Sequence, residues 1–373
     1  MMMLRAASRI LVVAALLGVA ACGGEDPEEP PPAVPRVAFA DGSAVHVRAS
    51  DGTTKRVAAL PGGWQAEALT WSGDGTELAW VASNPNDLSQ ARIYRAAATG
   101  SSVQHWDCAL FCGQVRFLGA DLVGESSING PATYPASGGE PDAFVPDGLP
   151  GAADLVGLSY RSLLTGSPTG DALYFVTGES TSAPKAIYRV DPSPKATSVQ
   201  PAGPTGLPLN GTVSPDGSQL AYSVSGAAPG CNVTESVVVI DLRSGKATTL
   251  VPPSSTAAMF VAGLWFGAGG RVFAAYVPGP VPCAPGTAEP PDTPTRATTA
   301  TVYERTGTSW KAVGSQAQDG AELGDGRRLE FAGPLTVGPS RIQQSSRGTL
   351  QLIGDGEPQV ISKTVTTFAV APR

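Results

Sequence analysis

The feature that most restricts what this chain can fold into is a turn that keeps returning. Ser72-Gly73-Asp74-Gly75 leads into Leu78-Ala79-Trp80, and Ser214-Pro215-Asp216-Gly217 leads into Leu220-Ala221-Tyr222. Ser167-Pro168-Thr169-Gly170 before Leu173-Tyr174-Phe175 is a third copy, and Gly267-Ala268-Gly269-Gly270 before Val272-Phe273 a worn fourth. The starts at 72, 167, 214 and 267 are 95, 47 and 53 residues apart. The first interval is two periods, and Phe117-Leu118-Gly119-Ala120-Asp121-Leu122-Val123 sits at its midpoint. Each residue type has a turn-forming reason: Pro presets φ, Asp bonds its own backbone, and Gly takes the left-handed position. A calcium role for Asp74 or Asp216 would need companion carboxylates that the neighbouring sequence lacks.

A second element follows each turn, an alternating strand that ends in a Gly-bearing bend. Val45-His46-Val47 reaches Gly52, Ile93-Tyr94-Arg95 reaches Gly100, and Val238-Val239-Ile240 reaches Gly245; weaker copies begin at Ala132, Ile187, Val302 and Leu350. The strands that follow the turns fall near Val37, Leu78, Leu122, Leu173, Leu220, Val272 and Leu335. The unit is four short strands, A to D, in about 48 residues. One such sheet cannot bury both faces, so units must stack, and radial stacking closes a β-propeller with only short, protected edges. Residues 36–60 supply strands B, C and D of a blade without strand A, while 364–373 (TVTTFAVAPR) supply an orphan strand to complete it. The fold class read here is all-β: one propeller of seven blades closed by its two termini. Six blades is the alternative, because the last unit (about 321–362) is the least regular.

The Ser-Pro-Asp-Gly turn before an aromatic-rich strand, then an Ile-Tyr-type strand ending in Gly, resembles the TolB-type propeller repeat, a WD-repeat-like blade. The resemblance spans most of 36–373. It implies a propeller, and seven blades would depart from the six of TolB itself. Composition agrees: Gly 45 and Pro 34 are spread along the chain and only 15% of residues are charged, as in many tight turns between short strands.

The N-terminus carries the most specific signal. Arg5 and Arg9 precede the twelve-residue apolar run Ile10 to Ala21, too short to span a bilayer and suited to a signal peptide. The run ends in Val19-Ala20-Ala21-Cys22, which resembles the bacterial lipobox. That implies a signal peptide over 1–21, diacylglycerol on Cys22, and a tether over 22–35 before the propeller at 36–373. At about 3.1 Å per residue, the thirteen residues of Gly23 to Pro35 reach roughly 40 Å. An extracytoplasmic, lipid-anchored protein of a bacterial membrane is therefore expected.

Four cysteines remain after Cys22, an even number that suggests disulfides in an exported chain. Cys231 and Cys283 lie in the B–C loops of adjacent blades and are paired; Cys108 and Cys112 share a D–A connection and are paired with each other. In a propeller the B–C and D–A loops share one face. It collects the cysteines and the insertions Ser83–Gln90, Ala227–Glu235 and Pro278–Arg296, leaving tight turns opposite. Elaborated loops on a rigid scaffold carry recognition, so Asn86, Asp87, Trp106, Asp107, Tyr160 and Arg161 are the candidate contacts.

Removing Arg5 and Arg9 takes the net charge from −7 to 23 − 32 = −9, which argues against nucleic-acid binding. His46 and His105 fall in different blades, so no metal site is expected, and no nucleophile elbow, zinc motif or phosphate loop implies a cofactor or a catalytic residue. The function expected is a monomeric, non-enzymatic interaction scaffold for envelope proteins. A glycan or small-molecule sensor is the alternative, and a propeller hydrolase or lyase a more distant one.

Overall fold

The computed structural model describes residues 36–372 except 109–111, 127–129, 151–159, 179–185, 201–205, 226–233, 255–258, 280–295, 324–325, 338–341, 345–346 and 355. The expected signal segment over 1–21, Cys22, the expected tether over 22–35 and the expected Cys231–Cys283 bridge lie outside the described residues.

The chain forms seven four-stranded antiparallel blades in a ring. Blade one holds β1 (Val37–Ala40), β2 (Ala44–Arg48) and β3 (Thr54–Ala59). Blade two is β4 (Gln65–Trp71), β5 (Glu77–Asn84), β6 (Asp87–Ala97) and β7 (Gln104–Asp107). Blade three is β8 (Cys112–Leu118), β9 (Asp121–Ser126), β10 (Gly130–Tyr134) and β11 (Asp142–Ala143). Blade four is β12 (Tyr160–Gly166), β13 (Leu173–Gly178), β14 (Ala186–Val190) and β15 (Ala196–Gln200). Blade five is β16 (Leu207–Val213), β17 (Gln219–Ser225), β18 (Glu235–Asp241) and β19 (Ala247–Leu250).

Blades six and seven each interrupt the pattern between strands B and C. Blade six is β20 (Met259–Phe266) and β21 (Val272–Pro278), then the inserted β22 (Arg296–Thr298), then β23 (Thr301–Thr306) and β24 (Ser309–Ala312). Blade seven is β25 (Asp319–Glu322) and β26 (Arg328–Ala332), the inserted β27 (Leu335–Val337) and β28 (Ile342–Gln344), then β29 (Gly348–Ile353) and β30 (Gln359–Val365). The last strand, β31 (Thr367–Val370), returns to blade one and pairs with β1 in the order β3-β2-β1-β31. The terminal clasp read from the sequence is thus the observed closure.

Two expectations are corrected. Leu335 does not start strand B of blade seven; β26 does, and Leu335 opens β27 in an additional sheet of order β22-β27-β28. The insertions of two adjacent blades therefore build a small sheet with each other. Ser83–Gln90 is not a loop: β5 and β6 extend through it, and only Pro85 and Asn86 stand outside the strands.

The repeated turn is built as its residues dictate. In blade two, the Asp74 carboxylate accepts from the Ser72 hydroxyl (2.7 Å) and the Thr76 amide (3.0 Å), while Gly75 sits at φ 66° and donates to Ser72 O. Blade five repeats this with Asp216, Ser214 and Ser218, and Gly217 at φ 69°. Blade four moves the aspartate to Asp171, where Ser167 and Thr169 hydroxyls still reach it. Between blades lie seven apolar clusters, each drawing on two neighbours, and the strand B aromatics Trp80, Phe175, Tyr222, Phe273 and Tyr276 are sealed in them.

Two glycines of the same turn separate packing from backbone conformation. A Cβ on Gly73 would lie 1.7 Å from the Thr169 carbonyl oxygen of blade four, whereas one on Gly217 meets nothing within 4 Å. Gly73→Ala is expected to cost about 3 kcal/mol or more through overpacking against backbone, and Gly217→Ala about 1–2 kcal/mol through its left-handed φ. Urea unfolding of the two variants checks the ranking; equal losses would remove the inter-blade explanation.

Candidate functional site on the channel and the loop face

The innermost strands β31, β4, β8, β12, β16, β20 and β25 follow one another around the axis. Five of them bulge, with register shifts at Glu67/Thr70, Cys112/Val115, Leu163/Thr165, Leu209/Thr212 and Val261/Gly263. An extra residue in a strand re-aims its side chains, and two non-glycine residues are held left-handed there, Ala68 at φ 50° and Asn210 at φ 43°.

The innermost strands also carry titratable groups whose ionisation burial shifts. Desolvation raises Glu67 above the usual carboxylate range, against a single long contact from Ser83 Oγ at 3.5 Å. Asp319, on the innermost strand of blade seven, is pushed up to about 6 by its surroundings, with the Gly320 amide donating to it at 2.8 Å. Arg116 on β8 is lowered to about 10 by desolvation and spends one Nη on Val115 O.

Two further glutamates reach across blade boundaries. Glu125 of blade three, raised by burial, accepts from Ser162 Oγ of blade four at 2.8 Å. Glu235 of blade five accepts from the Val261 amide of blade six at 3.1 Å, and burial pushes it up to about 7. Asn210 donates to Val261 O at 3.0 Å, so the blade-six bulge is held on both its amide and its carbonyl. These carboxylates are distributed around the ring: among the described residues, no three His, Cys, Asp or Glu side chains come together as a metal site.

On the loop face, blade two gathers most of the expected contacts. Asn86 is exposed at the hairpin tip and its amide donates to Asn84 Oδ1. Asp87 holds that tip together, accepting from Ser89 and from Gln90 Nε2 (2.8 Å). Asp107 is 75% exposed and accepts from Arg92 Nε at 2.6 Å, while the guanidinium lies over the Trp64 ring at 5.1 Å. Cys108 and Cys112 are joined as expected, and the Cys108 amide is bound to Ala91 O, which fixes this end of the face.

Trp106 is a correction: it is buried, with its indole N–H donating to Gly139 O at 2.9 Å and its ring edge-on to Tyr134. Its surroundings come from blade three, so it is a core residue. Tyr160 and Arg161 open β12, paired with Gly178 and Thr177, two blades away from Asp107. Asp87 lies five positions before Arg92, at the hairpin end of β6, whereas Asp107 sits opposite Arg92, so the two aspartates are set apart along the blade. Arg92 and Trp64 lie outside the contacts expected from the sequence: Arg92 is on β6 and Trp64 in the connection between β3 and β4, and no local pattern shows that they would stack.

The tight-turn face is not featureless. Between blades four and five it opens a cleft of about 590 Å³, lined by Asp171, Tyr174, Arg189, Asp216, Arg243 and Ser244 among others.

One similar solved structure supports the fold. The Myceliophteria thermophila Cps50 (Swd1) β-propeller domain matches with a TM-score of 0.53 at 11% identity, over 79% of this chain and 89% of that one. TolB from Acinetobacter baumannii matches at 17% identity with a TM-score of 0.45, over 73% of this chain and 61% of TolB. An oligogalacturonate lyase from Vibrio parahaemolyticus matches at 12% identity with a TM-score of 0.47, over 63% and 69% of the two chains. No family model matches the sequence, and no curated protein does either.

The raised carboxyls set a direction for pH dependence. Glu235 rises from 4.5 to about 7 and Asp319 from 3.8 to about 6, so between these values the folded chain binds more protons than the unfolded one. Stability is therefore expected to fall as pH rises from about 4 to about 7. Glu235 alone contributes on the order of 3 kcal/mol to that fall. Glu235→Gln, which keeps an acceptor for the Val261 amide, flattens the curve. Chemical unfolding across this range checks it, and a variant curve parallel to the parent would exclude Glu235 as the source.

Proposed function

We propose that this chain is an extracytoplasmic lipoprotein, anchored through Cys22, whose propeller is a non-enzymatic docking module for proteins of the cell envelope. The observation that carries the docking reading is the Arg92–Asp107–Trp64 group on the loop face. Trp64 is itself buried in the core between blades one and two, so a partner meets the Arg92 guanidinium that it supports and the exposed Asp107 carboxylate, and Arg is among the residues that dominate protein interfaces. Here it is pre-organised by strand pairing and by the Cys108–Cys112 bridge, so little ordering is left for binding. The anchoring reading rests on the sequence before residue 36.

Two measurements test the two halves separately. Cells labelled with radioactive palmitate should incorporate label into the parent chain and none into Cys22→Ser, which should leave the membrane fraction. Envelope proteins crosslinked to the parent should be lost from Arg92→Glu, with Asp107→Arg weakening them at least tenfold, while a change at exposed Val360 on the outer strand β30 has no effect. Crosslinks that survive both loop-face reversals would move recognition elsewhere on the ring.

Asp319 favours a second reading. A carboxyl poised near 6 on the channel suits general acid–base chemistry, and a turnover abolished by Asp319→Asn would establish an enzyme in place of a docking module.

A further inference from the structure

Arginines in this ring are mostly committed. Arg95 binds Glu77 and Ala120 O, Arg271 binds Glu304 and Glu322, Arg92 binds Asp107, Arg48 binds Gly52 O, and Arg305 binds Gly307 O. The cleft between blades four and five holds two whose commitments are weaker. Arg189, from β14, is 42% exposed; it bonds the Tyr174 hydroxyl beneath it and forms a long ion pair with Asp171 at 4.0 Å. Arg243, from the turn between β18 and β19, is exposed, and its charge helps to lower the neighbouring Asp241 carboxyl.

The acids of the cleft are spent differently. Asp171 accepts from the Ser167 and Thr169 hydroxyls, and Asp216 from the Ser214 and Ser218 hydroxyls and the Ser218 amide. Both are held below the usual carboxylate range, Asp216 chiefly by these hydrogen bonds, and Asp171, against its own burial, by the same kind of bonds and by the Arg189 charge. Their acceptor capacity serves the turns. What the cleft offers a visitor is donors: two guanidinium groups, one from each blade, with the Ser198 hydroxyl on its wall, the Ser244 hydroxyl being spent on Asp241 at 2.8 Å. Its volume of about 590 Å³ lies within the range of small-molecule sites. The turns that frame it are closed by hydrogen bonds, so it is formed before any ligand arrives.

We propose that this cleft binds a small molecule bearing an oxyanion, its carboxylate or phosphate group held by Arg189 and Arg243. Guanidinium matches both groups through paired N–H donors, and a ligand spanning the two arginines bridges blade four to blade five. The site lies on the face opposite the proposed docking group, so it stands or falls independently of that reading.

Titration calorimetry of the purified chain with inorganic phosphate, citrate and neutral glucose tests it. One-to-one binding of phosphate or of citrate is expected, weakening as salt rises, with glucose silent; the anion that binds more tightly identifies phosphate or carboxylate as the native group. Arg189→Ala and Arg243→Ala should each weaken binding at least tenfold, and together abolish it, while thermal unfolding of Arg243→Ala matches the parent. Arg189→Lys should recover part of the loss, since it restores charge without the fork. Absence of binding by both anions, glucose binding as tightly, or an affinity unchanged in the double variant would each overturn the proposal.

Discussion

Everything else in this molecule depends on the pairing of its last strand with its first. β31 runs antiparallel to β1, with Val37 opposite Val370, Ala38 opposite Ala369, Phe39 opposite Phe368 and Ala40 opposite Thr367. Without it, blade one would present an unpaired inner edge to the channel, and the clusters on both its sides would lose their lids. The join is also tied sideways: Trp71 Nε1 donates to Ala369 O at 3.2 Å, and Thr366 Oγ1 donates to Ala66 O at 2.9 Å. The first and last parts of the chain therefore meet in one sheet, and six blades stay in register because the seventh interface is closed.

Between blades, polar side chains repeat the same device, reaching forward from one blade to the next. Arg95 leaves blade two to cap the Ala120 carbonyl of blade three, Glu125 leaves blade three for Ser162, Glu235 leaves blade five for Val261, and Arg271 leaves blade six for Glu322. Burying a charge is costly, and such contacts are poor sources of net stability. Their directionality fits another role, because apolar blade faces can slide whereas a carboxylate aimed at one amide cannot. That cost is visible in Glu235, whose carboxyl is held near neutrality by the burial that makes it a selective acceptor.

The parts of the fold legible in the sequence were those whose cause is local. Ser214-Pro215-Asp216-Gly217 names its own turn, and the orphan strand near 364–373 was conspicuous because blade one lacked a strand A. The parts that misled depend on distant partners. Leu335-Thr336-Val337 alternates like a blade strand, but it pairs with Arg296–Thr298 from the preceding blade, and no local pattern encodes that choice. Trp106 sits in a strand of polar residues, Gln104, His105 and Asp107, and reads as exposed until blade three places Tyr134 and Gly139 against it. The acids of the innermost strands stayed hidden for the same reason: Glu67 and Asp319 acquire their character from burial among their neighbours, not from motifs.

The two faces of the ring also differ in how they are held, which bears on what each can recognise. On the tight-turn face, Gly119 N bonds Gly170 O at 2.8 Å, and Gly73 packs directly on Thr169, so the turns of blades two, three and four brace one another. A cleft framed by such turns keeps its shape, which suits a small ligand that must find its donors already placed. The loop face has longer hairpins, an added sheet, and a disulfide at one point, so it presents area instead of concavity. Area with a few anchored side chains suits a macromolecular partner. The repeat that makes both faces from one unit thus leaves them with opposite capacities, because strands B and C can lengthen outward on one side, while on the other the Ser-x-Asp-Gly turn admits no insertion without losing the bonds that form it.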